Sequence, residues 1–107
     1  GAGFIIAMHS DIIIAAESSS FCIPASKLNI QIPKKQILHL LTKINKGFFK
    51  DIILTSRKFT ASEAYSQNVI NAYVKDDELE SFTDNYFNQI VNKEKKINTF
   101  YLNLLRN

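Results

Sequence analysis

Apolar and polar positions form blocks along this chain, and their spacing predicts short strands followed by amphipathic helices. Residues 4–8 are an unbroken apolar run after a glycine-rich start, which predicts a tight turn leading into a buried helix. Residues 12–16 and 21–24 are short runs rich in β-branched and aromatic side chains, which favour buried strands. The polar residues 17–20 between them predict a turn.

The rest of the chain carries helical patterns divided by short breaks. Residues 25–33 have no clear period and predict an irregular segment, whereas residues 34–45 repeat apolar positions at i, i+3, i+4 and i+7. Residues 45–47 are expected to break that helix, and a second helix is marked by Phe48, Phe49, Ile52 and Ile53.

A third helical segment is predicted by its capping residues. Residues 57–59 are expected to be extended, and Thr60 then caps a short helix in which Glu63 completes a capping box. Residues 69–74 predict a strand, because they are mostly apolar and β-branched.

The C-terminal part predicts two further helices with large apolar faces. Residues 76–78 are acidic and favour the positive end of a helix that runs to residue 91; residues 93–96 form a basic break, and residues 97–105 a last helix. The apolar faces of these helices contain Phe82, Tyr86, Phe87, Phe100, Tyr101, Leu104 and Leu105. They predict either a partner surface or packing within the chain, and the pattern leaves both open.

Composition bounds the class of protein. The chain has 107 residues, is 46% hydrophobic and has a net charge of +3, which favours a folded domain with solvated lysines and gives no indication of nucleic-acid binding. Its single cysteine, Cys22, cannot form an internal disulfide and indicates a reducing, cytoplasmic compartment. The apolar stretches fall short of the roughly 20 residues of a membrane span.

The polar side chains do not form a recognisable metal or nucleophile motif in the sequence. His9 and His39 have no cysteine or carboxylate partners at ligand spacing, so no metal site is expected. Residues 18–20 lack a nucleophile-elbow pattern and read as turn residues. The start of the helix after the glycine-rich turn is different, because its unpaired N–H groups favour an anion or a developing oxyanion.

The order of these elements resembles the crotonase superfamily, the enoyl-CoA hydratase/isomerase family. That family has a glycine-rich turn, a helix ending in Cys-Asp, a strand, Ala-x-Phe and Pro-Glu; the corresponding places here hold Gly1-Ala2-Gly3, Ser10-Asp11, Ser20-Phe21 and Pro24-Ala25. Residues 53–74 look like the family segment LTGRxxxAxEAxxxGLVNxVV. Asn29 and Asn68 stand where the family has glycine, and asparagine is the residue that best replaces glycine in a left-handed conformation.

The resemblance implies an α/β fold, the second half of a crotonase ββα spiral over residues 1–75, followed by a C-terminal helical region over residues 76–107. Because the chain starts at glycine within the family's turn, it is expected to be a fragment of a longer protein. The resemblance also implies trimers or paired trimers, with the C-terminal helices packing onto neighbouring subunits or back over their own acyl site.

The same resemblance implies an acyl-CoA site. The backbone N–H of Ala2 would be one of two oxyanion donors to a thioester carbonyl, with Coenzyme A thioester as the substrate and no permanently bound cofactor. The neighbouring site residues would be Gly1, Gly3, Ile5, Pro24, Ala25, Leu28 and Ile32.

The chain departs from the family at the acid/base positions. Hydratases of the family carry glutamates where this chain has Ile5 and Ala25, and neither side chain can transfer a proton. A two-glutamate hydration mechanism is therefore not expected. The alternatives are a member similar to methylmalonyl-CoA decarboxylases, although their tyrosine is replaced near Ile32, or a catalytically silent fragment or interaction subunit.

Overall fold

The structure, a computed structural model, describes residues 11–106, in which short strands are joined across long stretches of sequence. β1 (Ile14–Ala16) pairs in parallel with β4 (Ala72–Val74), and Ala15 lies opposite Tyr73. β2 (Ser20–Phe21) pairs antiparallel with β3 (Phe59–Thr60). The predicted turn and helix over residues 1–8, and with them Gly1, Ala2, Gly3, Ile5 and His9, lie outside the described residues.

Five α-helices complete the described part of the chain. They are α1 (Lys34–Leu41), α2 (Lys46–Thr55), α3 (Ala61–Ser66), α4 (Leu79–Val91) and α5 (Lys95–Leu105), and a short 3₁₀ turn (Asp76–Glu78) precedes α4. The mixed arrangement confirms the predicted α/β class.

Several predicted bounds were too long, and hydrogen bonds explain where the elements end. The strand predicted over residues 21–24 ends at Phe21, because Pro24 opens a turn in which its carbonyl accepts from the Leu28 N–H at 2.9 Å. The helix predicted over residues 34–45 ends at Leu41. Asn45 instead caps α2 by accepting from the Phe48 N–H at 3.1 Å, so the expected break at 45–47 is already the start of the next helix.

The strand predicted over residues 69–74 begins later, at Ala72. Val69 lies in the turn that closes the end of α3, since its N–H donates to the Ala64 carbonyl at 2.8 Å, and Asn68 in that turn is left-handed with φ 60°. Asn29 has the same φ of 60°. Both asparagines thus adopt the conformation expected of a glycine replacement.

One apolar cluster lies between α1, α2, α3 and the strands. Its largest fully buried side chains are Ile23, Leu40, Ile52 and Phe59. The Phe59 ring packs at 5.5 Å from Phe21 and edge-on at 5.3 Å from Phe48, so aromatic contacts join β2, β3 and α2.

The C-terminal helices lie outside this cluster, since neither α4 nor α5 has a buried residue. Asp76 connects them to the rest of the described chain by accepting from the Ser18 N–H at 3.1 Å and from the Ser18 hydroxyl. These bonds lower the pKa of the Asp76 carboxyl. Arg106, just after α5, forms an ion pair with Asp11.

We predict that Ile52→Ala lowers the free energy of unfolding of the full-length gene product by about 2–5 kcal/mol, because it opens a cavity at a fully buried site. Lys50→Ala, an exposed position on the same helix, should change it by no more than about 0.5 kcal/mol. Urea unfolding measures both values; equal effects of the two variants would contradict the assigned core.

Candidate functional site

The candidate site is built around the turn over residues 24–30, which carries three of the predicted acyl-site residues. The Ala25 carbonyl accepts from the Ile30 N–H at 2.8 Å, and the Ser26 carbonyl accepts from the Asn29 N–H at 3.3 Å. These bonds, together with the Pro24 carbonyl bond to Leu28, hold the segment in a compact coil. This conformation determines which of its side chains face the core and which face the solvent.

The predicted acyl-site residues differ in burial. Ala25 is buried with 7% of its surface exposed, and Ile32 is half-buried against the same cluster. Pro24 is half-buried, whereas Leu28 is 58% exposed. Ala25, predicted from the family resemblance to stand at a glutamate position of hydratases, has its methyl group buried in the apolar core.

Ser56 holds this turn from the end of α2, a role that the sequence reasoning missed. It is the C-cap of α2 in a left-handed conformation with φ 55°. Its hydroxyl accepts from the Lys27 N–H at 3.0 Å, and its carbonyl accepts from the Cys22 thiol at 3.1 Å. The available signal was the LTGR resemblance, because Ser56 stands at the glycine of that pattern.

Arg57, the next residue, connects α2 to α3 through two carboxylates. Its guanidinium donates to Asp51 with Nη2–Oδ2 at 2.8 Å and to Glu63 with Nη2–Oε2 at 2.6 Å, and it lies 5.8 Å from the centre of the Phe48 ring. The hydrogen bonds to Arg57 lower the pKa of both carboxyls, and those bonds raise the pKa of Arg57. The guanidinium therefore stays charged and its neighbours stay ionised.

The capping box predicted at Thr60 is half formed. The Thr60 hydroxyl accepts from the Glu63 N–H at 3.0 Å, as expected for an N-cap. The Glu63 carboxylate binds Arg57 rather than completing the reciprocal bond of the box. The ion pair thus uses a side chain that the local pattern assigned to capping.

Asn71 fixes the alignment of β1 with β4. Its side-chain Oδ1 accepts from the Ile13 N–H at 2.7 Å, and its own N–H donates to the Ile13 carbonyl at 2.8 Å. Asn71 therefore binds both the N–H and the carbonyl of Ile13. These two hydrogen bonds fix the chain at Ile13, three residues after residue 10.

A separate open cleft of about 530 Å³ lies beside β4. Its lining mixes aromatic and charged side chains: Glu17, Tyr65, Tyr73, Lys75, Glu78 and Phe82. The Tyr65 and Tyr73 rings meet edge-on at 5.5 Å. None of the predicted acyl-site residues that the structure describes contributes to its lining.

Residues 11–106 contain neither a cluster of metal-binding side chains nor a membrane-spanning helix. In that part of the chain no three His, Cys, Asp or Glu side chains are grouped to hold a metal ion. None of its helices has the length and apolar character that crossing a bilayer requires.

The similarity to a known protein family extends over almost all of the chain. The family model described as enoyl-CoA hydratase/isomerase matches residues 1–106, and the chain therefore belongs to the enoyl-CoA hydratase/isomerase family, of crotonase fold. A curated relative, carnitinyl-CoA dehydratase from Salmonella typhimurium, is 32% identical over 92 residues, which are 86% of this chain and 35% of that protein.

Solved structures agree with this assignment. A crotonase-type enoyl-CoA hydratase/isomerase structure from Legionella pneumophila superposes with a TM-score of 0.85 and 32% identity, covering 97% of this chain and 40% of the other. Methylmalonyl-CoA decarboxylase in complex with 2-nitronate-propionyl-CoA superposes with a TM-score of 0.84 and 31% identity, covering 88% and 36%. The chain thus spans little more than a third of the length of these relatives.

The Arg57 ion pairs predict a pH dependence of stability. Asp51 and Glu63 have folded-state pKa values below their ordinary values of 3.8 and 4.5, so their contribution is complete above those values and is lost as the pH falls through the lowered ones. Arg57→Met removes the partner that lowers both pKa values. We expect the difference in unfolding free energy between wild type and Arg57→Met to be largest at neutral pH and to shrink below about pH 4.

Urea unfolding of the full-length gene product between pH 2.5 and 7 measures this difference. Lys58→Met, which removes the adjacent exposed charge, is the control. Its difference in unfolding free energy from wild type should not decrease at low pH. A constant difference for Arg57→Met across the range would contradict the assigned ion pairs.

Proposed function

We propose that the full-length gene product binds acyl-CoA thioesters and stabilises an enolate-like thioester through a backbone oxyanion hole. The observation that carries this proposal is the family match over residues 1–106 combined with the buried methyl of Ala25. The family match favours a thioester ligand, and relatives with CoA ligands support it, including the 2-nitronate-propionyl-CoA complex. The apolar Ala25 separates this chain from a hydratase that uses two glutamates.

In this proposal the N–H of Ala2 donates to the thioester carbonyl oxygen. Negative charge grows on that oxygen as an enolate forms, so a fixed donor stabilises the transition state more than the bound substrate. Ile5, Ala25, Leu28 and Ile32 would form an apolar wall for the acyl chain, beside Gly1, Gly3 and Pro24. The proposal also includes a cytoplasmic location, a coenzyme A thioester as the substrate, and no permanently bound cofactor.

A decarboxylase is the second candidate, and the similarity to methylmalonyl-CoA decarboxylase favours it. Loss of CO₂ from a 2-carboxyacyl thioester leaves the bond's electron pair on the α-carbon as an enolate. That step needs an oxyanion donor and no carboxylate pair, and it ends when a proton is added to the α-carbon. The apolar residues at positions 5 and 25 are compatible with it, because they would not repel the leaving carboxylate.

We also propose that α4 and α5 pack against a neighbouring subunit in a trimer or a pair of trimers. Large apolar side chains support this, since Phe87 is 61% exposed and Leu105 is 74% exposed in the described chain.

The oxyanion role predicts the effect of removing one N–H group. Ala2→Pro lacks the donor and should lower kcat by about 10²–10³-fold for whichever short acyl-CoA substrate is turned over, because one such donor contributes about that factor. Ala2→Gly keeps the N–H and is the control, which should remain within a few-fold of wild type. Comparable rates for Ala2→Pro and wild type would contradict the assignment.

The glutamate positions predict a gain of function. The double variant Ile5→Glu and Ala25→Glu should raise hydration of crotonyl-CoA, since a positioned acid/base contributes about 10²–10⁴-fold. Ile5→Gln with Ala25→Gln matches its size without the proton transfer and should show no gain. The measurement is the rate of crotonyl-CoA hydration by the folded variants. Equal rates for the two double variants would contradict the assignment of positions 5 and 25 as the glutamate positions.

A further inference from the structure

Ser56 combines an unfavourable backbone conformation with a hydrogen bond that only its side chain can make. At φ 55° it is left-handed, a conformation that favours glycine and disfavours most residues with a Cβ, asparagine being the best tolerated of them. Glycine at this position would relieve the backbone but would carry no hydroxyl. Serine therefore differs from the favoured glycine in having the hydroxyl that binds Lys27.

The partner of that hydroxyl lies in the turn that carries the predicted acyl wall. Ser56 Oγ accepts from the Lys27 N–H at 3.0 Å, and Lys27 lies between Ala25 and Leu28. The Ser56 carbonyl accepts from the Cys22 thiol at 3.1 Å, just before the turn. One residue thus holds the segment at two points, on both sides of Pro24 and Ala25.

Ser56 is itself held firmly. Its N–H donates to the Ile52 carbonyl at 3.1 Å at the end of α2, and Ile52 is fully buried. The next residue, Arg57, binds carboxylates on both α2 and α3. A hydrogen bond from such a fixed point restricts the turn more than a bond from a mobile loop would.

We propose that Ser56 is a positioning residue for the acyl site, which fixes Ala25 and Leu28 of the apolar wall, and Pro24 beside it, through its bond to Lys27. The inference rests on the proposed function, because the wall is the one assigned there to the acyl chain. Ser56 does not contact the ligand; it orders the turn before the thioester binds. Ordering in advance strengthens binding, because less freedom is lost when the acyl chain docks.

The test compares Ser56→Gly, Ser56→Asn and Ser56→Ala in the full-length gene product. The probes are the affinity for butyryl-CoA by calorimetry, the hydrogen exchange of a peptide spanning residues 24–30, and the melting temperature. Ser56→Gly should bind butyryl-CoA about fivefold more weakly and exchange faster over 24–30, because a hydrogen bond to the turn is lost. Its melting temperature should stay near that of wild type, because the relieved left-handed backbone offsets the lost bond.

The other variants separate positioning from stability. Ser56→Asn tolerates the left-handed conformation and offers a side-chain oxygen, so it should restore affinity and exchange protection toward wild type. Ser56→Ala keeps the unfavourable backbone without the acceptor, so both affinity and melting temperature should fall.

Each contrary result has a distinct meaning. Unchanged affinity and exchange in Ser56→Gly, with a wild type that binds butyryl-CoA, would overturn the positioning role and leave the proposed function intact. A wild type that binds no butyryl-CoA would contradict the proposed function, and the acyl-site role of Ser56 would fall with it.

Discussion

The packing of Phe59 is the contact on which the rest of the described structure depends. Its ring is fully buried against Phe21 and Phe48, which belong to two other elements of the chain, β2 and α2. This contact places β3 against β2 and against the first turn of α2. Ser56 and Arg57 lie between Phe48 and Phe59, so their bonds to the turn and to α3 follow from the same packing. The position of the candidate site is thus a consequence of aromatic burial.

Polar contacts then fix the relative positions of the segments that the apolar core brings together. Asn71 binds both backbone groups of Ile13, Arg57 binds carboxylates on two helices, and Asp76 binds Ser18. Each connects residues that are distant in sequence or that belong to different elements, and each involves side chains that are exposed or partly exposed. Such bonds contribute modestly to stability but define geometry, because they are directional. This division between an apolar core and directional polar clamps suits a protein whose site is built from short segments.

Sequence periodicity predicted the elements whose cause is local. The apolar repeat gave α1, α2, α4 and α5, and the Thr60 cap was predicted because an N-cap depends on neighbouring residues. The bounds of strands and the partner of Glu63 were not predictable in this way, because they depend on contacts with distant residues. The role of Ser56 was not predicted for the same reason, because it depends on a hydrogen bond with Lys27, which is distant in sequence. The fold class and family followed from ordered motifs, whereas residues 1–10, which include Ala2 and Ile5, lie outside the described part.

In the proposed function, this chain offers a thioester one backbone donor and an apolar wall without carboxylates. The most direct measurement is a crystal structure of the full-length gene product with bound butyryl-CoA. We predict a thioester oxygen about 2.7–3.1 Å from the Ala2 nitrogen, and an acyl chain against Ala25. A carbonyl oxygen turned away from Ala2, or an acyl chain lodged away from the turn over residues 24–30, would contradict the account.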